Sequence, residues 1–451
     1  MGLRRDPPQA DGVVRGHLLR IFGLGFGLAV VIGGVVGSGI MRNPGVVAAG
    51  FPDARLLLLA WTLGGLYVVL DAMPTVELGA AIPLDGGPFS LVTRAVGPAA
   101  GFLVGWADWL QTVISTGFIA VAFGEYVHRL GLLNALGAGA IAILLVLVCG
   151  AINWIGARSG GTSQNIGTAL KGLGLAVLVA VLLLAPHGAA PAAPPPPAFT
   201  WAAALVAMRA IYGAYGGWQA AIYFSEEVHA PERNVARATF LGIALVTGLY
   251  LSVNAAVVSV LPMGLLVTSK LAAADAAAIV LGPGSGTVVT ILAIICVATL
   301  ANTQVMECVR LTFAMARKGV LPPRLAAVSL SGTPRPALVL SIAAMAAIIV
   351  LAEMIEGPLY EVLLDLYAPF VMLVFLSLSL AAIHLRRKEP ALPRPWKMPL
   401  FPLPALLSAA LNGVLLAAFL VSDTTAAGFS ILFLLLGAPL YLYGRGRWRA
   451  A

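Results

Sequence analysis

Charged side chains are scarce in this sequence. Asp, Glu, Lys and Arg make up 10% of its 451 residues, whereas 60% of the residues are apolar. A water-soluble fold of this length would lack the polar surface needed to cover so apolar a chain. The scarcity of charge therefore excludes an ordinary soluble protein and indicates that the chain lies in a lipid bilayer.

Cysteines and the common catalytic motifs are also scarce. The three cysteines, Cys149, Cys296 and Cys308, all fall inside apolar stretches, which argues against a disulfide framework. The sequence contains no HExxH motif, no GxSxG motif and no Cys/His cluster with metal-binding spacing. We therefore expect neither an enzyme nor a bound metal or cofactor.

Long apolar stretches account for most of the chain. A membrane-spanning helix needs about 20 consecutive apolar residues, and the sequence offers twelve such stretches separated by short polar turns. This pattern predicts an all-α polytopic membrane protein with twelve transmembrane helices. The stretches lie near residues 20–49, 55–82, 98–128, 138–157, 163–186, 200–225, 237–261, 286–316, 335–354, 359–385, 403–421 and 427–444.

Lys and Arg outnumber Asp and Glu by 27 to 19, which gives a net charge of +8. In a soluble protein this excess could indicate nucleic acid binding, but membrane topology explains it without a nucleic acid partner. With both termini cytoplasmic, the opposite side keeps only Arg42, Arg55, Arg129 and Lys270. The positive-inside rule thus predicts a multi-pass protein of the cell inner membrane with cytoplasmic N and C termini. The cytoplasmic basic residues would be Arg4, Arg5, Arg15, Arg20, Arg94, Arg158, Arg233, Arg237, Arg317, Lys318, Arg324, Arg335, Arg386, Arg387, Lys388, Arg394, Lys397, Arg445, Arg447 and Arg449.

Glycine clusters interrupt the first and the sixth stretch, at residues 33–40 (GGVVGSGI) and 212–218 (YGAYGGW). Mid-helix glycine costs up to about 1 kcal/mol relative to Ala, so the clusters indicate unwound turns. Either cluster alone would favour close helix packing instead. The two breaks are five spans apart. Because this number is odd, the second half of the chain would have the opposite orientation in the membrane from the first half. The pattern is typical of a 5+5 inverted-repeat transporter in which helices 1 and 6 are unwound.

These features divide the chain into six parts. They are a cytoplasmic N-terminal arm (1–19), a first repeat of helices 1–5 (20–190), a Pro-rich extracellular loop (191–199), a second repeat of helices 6–10 (200–385), a cytoplasmic loop (386–402), and helices 11 and 12 with a short cytoplasmic tail (403–451). The stretch after Arg20 lacks an A-x-A-like cleavage site, so we interpret it as the first span rather than a signal peptide.

An unwound turn at membrane depth frees backbone groups that lipid cannot satisfy, so it persists only where protein, water or a ligand meets them. The half-helix that begins near Ile40 would direct N–H groups and a positive dipole end at Ser38 and Gly39, which suits a carboxylate. The half-helices that end near Val35 and Gly213 would present carbonyl groups, which suit an ammonium. A ligand that carries both groups on one carbon is an α-amino acid.

Five motifs resemble, in the same order, those of the amino acid, polyamine and organocation superfamily, and within it the L-type amino acid transporter group. They are Gly37-Ser38-Gly39-Ile40, the segment from Glu77-Leu78-Gly79 through Pro83 to Gly86-Gly87, Ala214-Tyr215-Gly216-Gly217-Trp218 with the loop to Asn234, the end of a helix from Arg310 to Pro322, and the loop from Arg386 to Pro399.

The resemblance implies that the substrate carboxylate binds the N–H groups of Ser38 and Gly39. It also implies that the ammonium binds the carbonyls of Val35, Gly213 and Gly216. A structural role for the Ser38 hydroxyl, bonded to its own helix, remains the alternative. The full set of predicted substrate-binding residues is Val35, Val36, Gly37, Ser38, Gly39, Ile40, Gly213, Ala214, Tyr215, Gly216, Trp218 and Asn302.

Two membrane-embedded charges are candidates for coupling transport to an ion. Lys171 matches a lysine that, in sodium-independent relatives, takes the place of a sodium ion. It either carries a coupling proton or is a structural cation bonded to carbonyls of the first helix. Asp71 stands where the family usually has a small residue, and it either pairs with Arg209 or takes part in proton transfer.

Other departures from the family limit what can be predicted. Gly213 replaces an aromatic residue, so the pocket has room for a larger substrate unless Tyr212 or Phe118 covers it. Glu307 and Arg310, three residues apart on one helix, are expected to neutralise each other, and Glu226, Glu227 and Arg233 to form ion pairs near the cytoplasmic side.

The sequence therefore predicts a sodium-independent secondary transporter of α-amino acids that works by alternating access as an exchanger or a proton symporter. Its expected partners are the amino acid substrate, the lipid bilayer and, in the symporter case, protons. Eukaryotic exchangers of this group attach a partner subunit through a cysteine between helices 3 and 4. The corresponding loop, residues 131–137, has none, so we expect no disulfide-linked subunit. An amine or polyamine transporter, or a non-transporting amino acid sensor, is the alternative.

Overall fold

The computed structural model describes residue 18 and residues 21–185, 192–282, 284–422 and 424–445. Nearly all of the predicted N-terminal arm, Pro191 of the Pro-rich loop and the tail after residue 445 lie outside the described residues. The same holds for the basic residues predicted there, Arg4, Arg5, Arg15, Arg20, Arg447 and Arg449.

Helices form almost all of the described chain, and its only strand-like pairing is an isolated bridge between Phe22 and Val228. The helices are, in order, α1 (Leu24–Val35), α2 (Ser38–Gly50), α3 (Ala54–Ala81), α4 (Gly87–Ala95), α5 (Pro98–Arg129), α6 (Ala138–Ile155), α7 (Ala157–Leu184), α8 (Trp201–Ala214), α9 (Ala220–Tyr223), α10 (Pro231–Val260), α11 (Met263–Leu266), α12 (Ala272–Leu281), α13 (Gly284–Arg317), α14 (Arg335–Ala352), α15 (Leu359–Lys388), α16 (Leu403–Ser422), α17 (Thr424–Leu435) and α18 (Ala438–Arg445).

Within the described residues, eleven helical segments are long and apolar enough to cross a membrane. The sixth predicted span is the exception, because it consists of the short apolar helix α8, a turn and the single turn of α9. Many large apolar side chains face outwards, including Leu173, Leu184 and Leu205, as expected of a surface that lipid covers. The chain is an all-α, multi-pass membrane protein, and the exact count of twelve crossings stays a prediction.

The two halves of the chain pack against each other through corresponding helices. Helix α3 packs on α10 and α5 packs on α13, while α2 packs on α8. With the twelve predicted crossings, which run alternately in opposite directions, α1 would begin and α18 would end on one side of the membrane, which we call the terminal face. The other side is the opposite face. Helix α4 lies between α3 and α5 at the terminal face, and α11 and α12 lie between α10 and α13 at the opposite face.

Two predicted ion pairs are wrong. Asp71 accepts hydrogen bonds from Ser408 Oγ (2.6 Å) and Asn412 Nδ2 (2.8 Å) on α16, whereas Arg209 pairs with Asp365 of α15. The face of α3 that carries Asp71 meets α16, so the carboxylate is turned away from Arg209.

Arg310 does not neutralise Glu307, its neighbour on α13. Its guanidinium instead binds both carboxylate oxygens of the buried Glu227, at 2.8 and 3.2 Å. A bidentate pair satisfies two N–H groups of the guanidinium at once. The Glu307 carboxylate, one turn away on the same helix, does not form such a pair with Arg310.

Glu77, near the end of α3, fixes the loop after α15 to the terminal face. Its carboxylate accepts hydrogen bonds from Arg386 Nε (2.7 Å) and from the backbone N–H of Met398 (2.7 Å), and Arg394 Nε lies 3.4 Å away. Glu77 is 2% exposed. The predicted cytoplasmic loop, residues 386–402, is therefore tied to the helix bundle by one buried acid.

We predict that Glu77→Ala destabilises the protein by about 3 kcal/mol, because removal of one partner leaves the guanidinium and the Met398 N–H without their acceptor. The measurement is the midpoint of thermal denaturation in detergent. Glu389→Ala is the matched control, since its pair with the half-exposed Arg94 at the same face should contribute little. Equal shifts for the two variants would contradict the anchoring role.

Candidate functional site

The first span, Leu24–Gly50, is broken near the middle of its length. Helix α1 ends at Val35 and α2 begins at Ser38, and between them Val36 (ψ 103°) and Gly37 (φ −156°, ψ −134°) have non-helical backbone angles. Three carbonyl groups near the break are bound by side chains of other helices. Gly33 O and Val36 O accept from Lys171 Nζ at 2.9 and 2.6 Å, and Val35 O lies 2.9 Å from Tyr250 Oη.

The second break lies against the first. Helix α8 ends at Ala214, and turns lead through Gly217 (φ +98°) to α9. A Cβ atom on Gly34 would lie 2.8 Å from the carbonyl oxygen of Gly217, so the two backbones meet without side chains between them. The hydroxyl of Tyr250 is within hydrogen-bond distance of both Val35 O and Ala214 O, at 2.9 Å from each. One phenol therefore links the carbonyl ends of both half-helices.

Gly39 allows α2 and α8 to touch. A Cβ atom at this position would lie 2.5 Å from Ala214 Cα, a distance that no side chain can occupy. Any larger residue would push α2 away from α8 and widen the gap between the two breaks.

A cavity of about 340 Å³ opens beside the breaks. Its wall includes three of the predicted residues, Ser38, Gly39 and Gly213. The remaining wall residues, except Phe118 of α5, belong to α2, α8 and α15 and lie towards the opposite face, so the cavity extends from the breaks in that direction. The other wall residues are Arg42, Asn43, Val46, Phe118, Val206, Arg209, Ala210, Tyr212, Tyr360, Glu361, Leu364, Asp365, Tyr367, Ala368, Val371 and Met372.

The remaining predicted residues lie behind this wall. Val36 and Ile40 are fully buried, Tyr215 donates to the carbonyl of Trp61 (3.1 Å), and Trp218 stacks on Phe375 with ring centroids 5.1 Å apart. Val35, Gly37, Ala214 and Gly216 are also absent from the cavity wall, although a Cβ on Gly216 would lie 3.3 Å from the Tyr367 hydroxyl.

Asn302 lies away from the cavity, in a polar contact between helices. Its amide nitrogen donates to Gln164 Oε1 (3.2 Å), and its amide oxygen accepts from Asn153 Nδ2 (2.8 Å). The structure thus places Asn302 among α6, α7 and α13 and not at the cavity wall, in contrast to the prediction that it contacts the substrate.

Aromatic residues and ion pairs complete the cavity, and the sequence analysis missed most of them. Phe118 packs edge-on against both Tyr360 and Tyr367. Arg42 pairs with Glu125 and lies 4.2 Å from the centre of the Tyr360 ring. The charges at positions 42, 209 and 365 were a usable signal, because ionisable residues within membrane helices generally mark functional positions.

Open space surrounds Gly213, since no heavy atom lies within 4 Å of a Cβ built there. Tyr212 does not fill this space, because its ring packs on Tyr67 at 5.2 Å. The room expected from the missing aromatic side chain is therefore present at the cavity wall.

The terminal face is closed beneath the breaks. Glu227 binds Arg310, and Glu226 binds Arg317 at 2.7 Å. Asp85, in the loop after α3, accepts from the backbone N–H of Glu226 (3.0 Å). Burial, followed by the neighbouring Glu227 and Glu226 carboxylates, raises the pKa of Asp85 well above its ordinary range. The ion pairs expected of Glu226 and Glu227 are present, whereas Arg233 is in no ion pair with a described residue.

Lys171 is fully buried and reaches the first break from α7. Thr168, one turn earlier, donates to Ala29 O at 3.0 Å, so a polar stripe of α7 follows the carbonyl groups of α1. No carboxylate among the described residues forms an ion pair with Lys171. Among the described residues, the hydrogen-bond acceptors of this ammonium are the carbonyl groups of Gly33 and Val36 at the break.

Sequence comparison identifies the family. The family model described as amino acid permease matches residues 27–440. The chain belongs to this family. It is similar to the serine/threonine exchanger SteT of Bacillus subtilis, with 29% identity over 96% of this chain and 98% of that protein.

Two animal proteins are similar over nearly the same length. The large neutral amino acids transporter small subunit 2 of Homo sapiens is 30% identical over 97% of this chain and 83% of its own length. The Asc-type amino acid transporter 1 of Mus musculus is 30% identical over 95% of this chain and 81% of its own length. The expected resemblance to the L-type group is confirmed, and amino acid transport is the activity of this family.

We predict that Lys171→Ala lowers amino acid uptake at least tenfold, because the carbonyls of Gly33 and Val36 lose their only observed donor and the break loses its brace. Uptake into proteoliposomes measures the effect. Lys318→Ala, which removes an exposed lysine, is the control and should transport normally. Wild-type uptake by the Lys171 variant would show that the buried ammonium is dispensable.

We also predict that Gly213→Phe narrows the substrate range. The new ring would enter the open space in the cavity, so bulky amino acids should lose affinity by tenfold or more while the smallest keep most of theirs. Competition against uptake of a small labelled amino acid tests this. An unchanged ranking of competitors would mean that the space at Gly213 is not part of the substrate pocket.

Proposed function

We propose that this chain is a sodium-independent secondary transporter that carries α-amino acids across the cell inner membrane by alternating access. Both termini lie in the cytoplasm in this proposal, so the terminal face is the cytoplasmic face and the cavity opens outwards. The observation that carries the proposal is the pair of helix breaks that meet beside one cavity.

The geometry at the breaks suits a zwitterion. Ser38 and Gly39, the first two residues of α2, line the cavity, and the N–H groups at a helix start attract a carboxylate. Carbonyl groups of Val35, Gly213 and Gly216 are the proposed acceptors for the ammonium. Val36, Gly37, Ile40, Ala214, Tyr215 and Trp218 then act indirectly, by holding the two breaks in shape.

Lys171 supports sodium independence. Its ammonium already occupies Gly33 O and Val36 O, which are the carbonyl groups that a small cation at the first break would need as ligands. A second cation beside a buried, unpaired ammonium would be repelled at close range. We therefore assign Lys171 to the structural role rather than to proton transfer.

The remaining alternatives receive less support. Asp71 is bound by Ser408 and Asn412 and is not part of the cavity wall, so it is poorly placed to bind the second ammonium of a polyamine or to act in coupling. All three cysteines of the chain are buried, and the proposal includes no disulfide-linked subunit.

The proposal is tested with purified protein in liposomes preloaded with a mixture of amino acids. We expect labelled amino acid uptake by counterflow that is equal in sodium and in choline buffers. Ser38→Leu should abolish this uptake, since the larger side chain would cover the start of α2. Ser252→Leu, at an exposed position of α10, is the control. Uptake that requires sodium, or that survives in Ser38→Leu, would contradict the proposed site.

A further inference from the structure

A second group of buried charges lies on the terminal-face side of the cavity, where α5, α9 and α13 meet. Asp108 of α5 and Glu307 of α13 are both almost completely buried. Asp108 Oδ1 accepts from Tyr223 Oη of α9 (2.7 Å) and from Gln111 Nε2 (2.8 Å). These residues do not line the cavity, and neither acid belongs to an ion pair of the described chain.

Several oxygen atoms in this region have no hydrogen-bond donor. They are Asp108 Oδ2, Glu307 Oε1, Gln219 Oε1 and Gln304 Oε1. Gln219 lies one turn before Tyr223, and Gln304 lies one turn before Glu307. The amide nitrogen of Gln304 donates to the hydroxyl of Ser115 on α5 (2.6 Å), which fixes the orientation of the Gln304 side chain. The Ser115 hydroxyl in turn donates to Thr112 O. Because every unpartnered atom is an acceptor, a species that binds here must donate a hydrogen bond or carry positive charge. A proton on one of the two acids meets this requirement.

No nearby cation can neutralise the two acids. Arg310, one turn beyond Glu307, has its guanidinium engaged by both oxygens of Glu227. The other titratable groups that face the pair are neutral donors or thiols, namely Tyr223 on α9, Tyr367 on α15 and Cys308 on α13. An uncompensated buried carboxylate is very costly, and a second one close by adds repulsion. At least one of the two acids must therefore be protonated in this closed arrangement.

Tyr367 lies close to both the pair and the cavity. Its ring is part of the cavity wall, and its phenol interacts electrostatically with both Glu307 and Asp108. On the other side, Tyr223 belongs to α9, the half of the broken sixth span that leads directly to the closed terminal face. The pair thus lies between the substrate cavity and the segment that must move when the other side of the membrane opens.

We propose that Asp108 and Glu307 form a proton-binding site and that the proton bound there is transported together with the amino acid. This inference rests on the proposed function. A hydronium ion in the outward-facing cavity gives a proton to the Tyr367 hydroxyl, which passes its own proton to a carboxylate oxygen of the pair; water and a carboxylic acid result. When the terminal face opens, water reaches the pair, and a hydrated carboxyl group is ionised at neutral pH, so the proton leaves to the water of that side.

The proposal makes net uptake depend on a proton gradient. Wild-type protein in liposomes without internal amino acid should accumulate labelled amino acid several-fold more when the outside is acidic than when the pH is equal on both sides. A pH-sensitive dye trapped inside the same liposomes should report acidification that begins on addition of amino acid. Uptake without acidification, or uptake indifferent to the gradient, would overturn the proposal without any variant.

Asp108→Asn and Glu307→Gln test the residues. Each variant keeps the size of the side chain and fixes it in a neutral form, so the loaded carrier can still cross in both directions but no longer needs to release a proton. We expect loss of the gradient stimulation and of the acidification, with measurable counterflow remaining as proof of folding. Glu356→Gln, which neutralises an exposed acid at the opposite face, should keep full stimulation.

The outcomes are distinct. If the proton gradient still stimulates uptake by both Asp108→Asn and Glu307→Gln, the assignment to this pair is overturned. The assignment is also overturned if the stimulation is lost in Lys171→Arg while both of those variants keep it. Absence of counterflow for wild-type protein under every condition would instead contradict the proposed function, because counterflow needs substrate binding and alternating access but no proton step.

Discussion

The structure depends on how a broken helix is tolerated in the middle of a membrane. Lipid offers no partner to the carbonyl groups that a break exposes, so side chains from other helices must supply the donors. Lys171 supplies them for Gly33 and Val36, and Tyr250 reaches carbonyls of both breaks at once. Donation by these two side chains allows the N–H groups at the start of α2 to face a cavity instead of a preceding turn.

The same requirement explains why the site is so rich in glycine. The half-helices must approach closely enough to share donors, and Gly34 and Gly39 permit contacts with Gly217 and Ala214 that a side chain would prevent. Only glycine allows the two backbones to touch at these positions. The low helix propensity of glycine is offset by the tertiary contacts that each break makes.

The sequence predicted the membrane class, eleven of the apolar spans and the location of both breaks, because each depends on features that are local in the chain: apolar length and glycine clusters. Pairing between distant charges could not be predicted in the same way. Arg209 and Asp365, or Glu227 and Arg310, meet only because two helices have a particular rotation and vertical offset. A helical pattern specifies which residues share a face, but it does not specify which face of another helix they meet.

The contrast between Gly39 and Gly213 has a consequence for how substrate preference can change in such a protein. Position 39 is locked by backbone contact, so a substitution there damages the machinery before it alters recognition. Position 213 borders empty space and makes no contact that a side chain would disturb. A single replacement at position 213 would therefore add a side chain to the cavity without displacing a packed neighbour, whereas a replacement at position 39 would separate two helices.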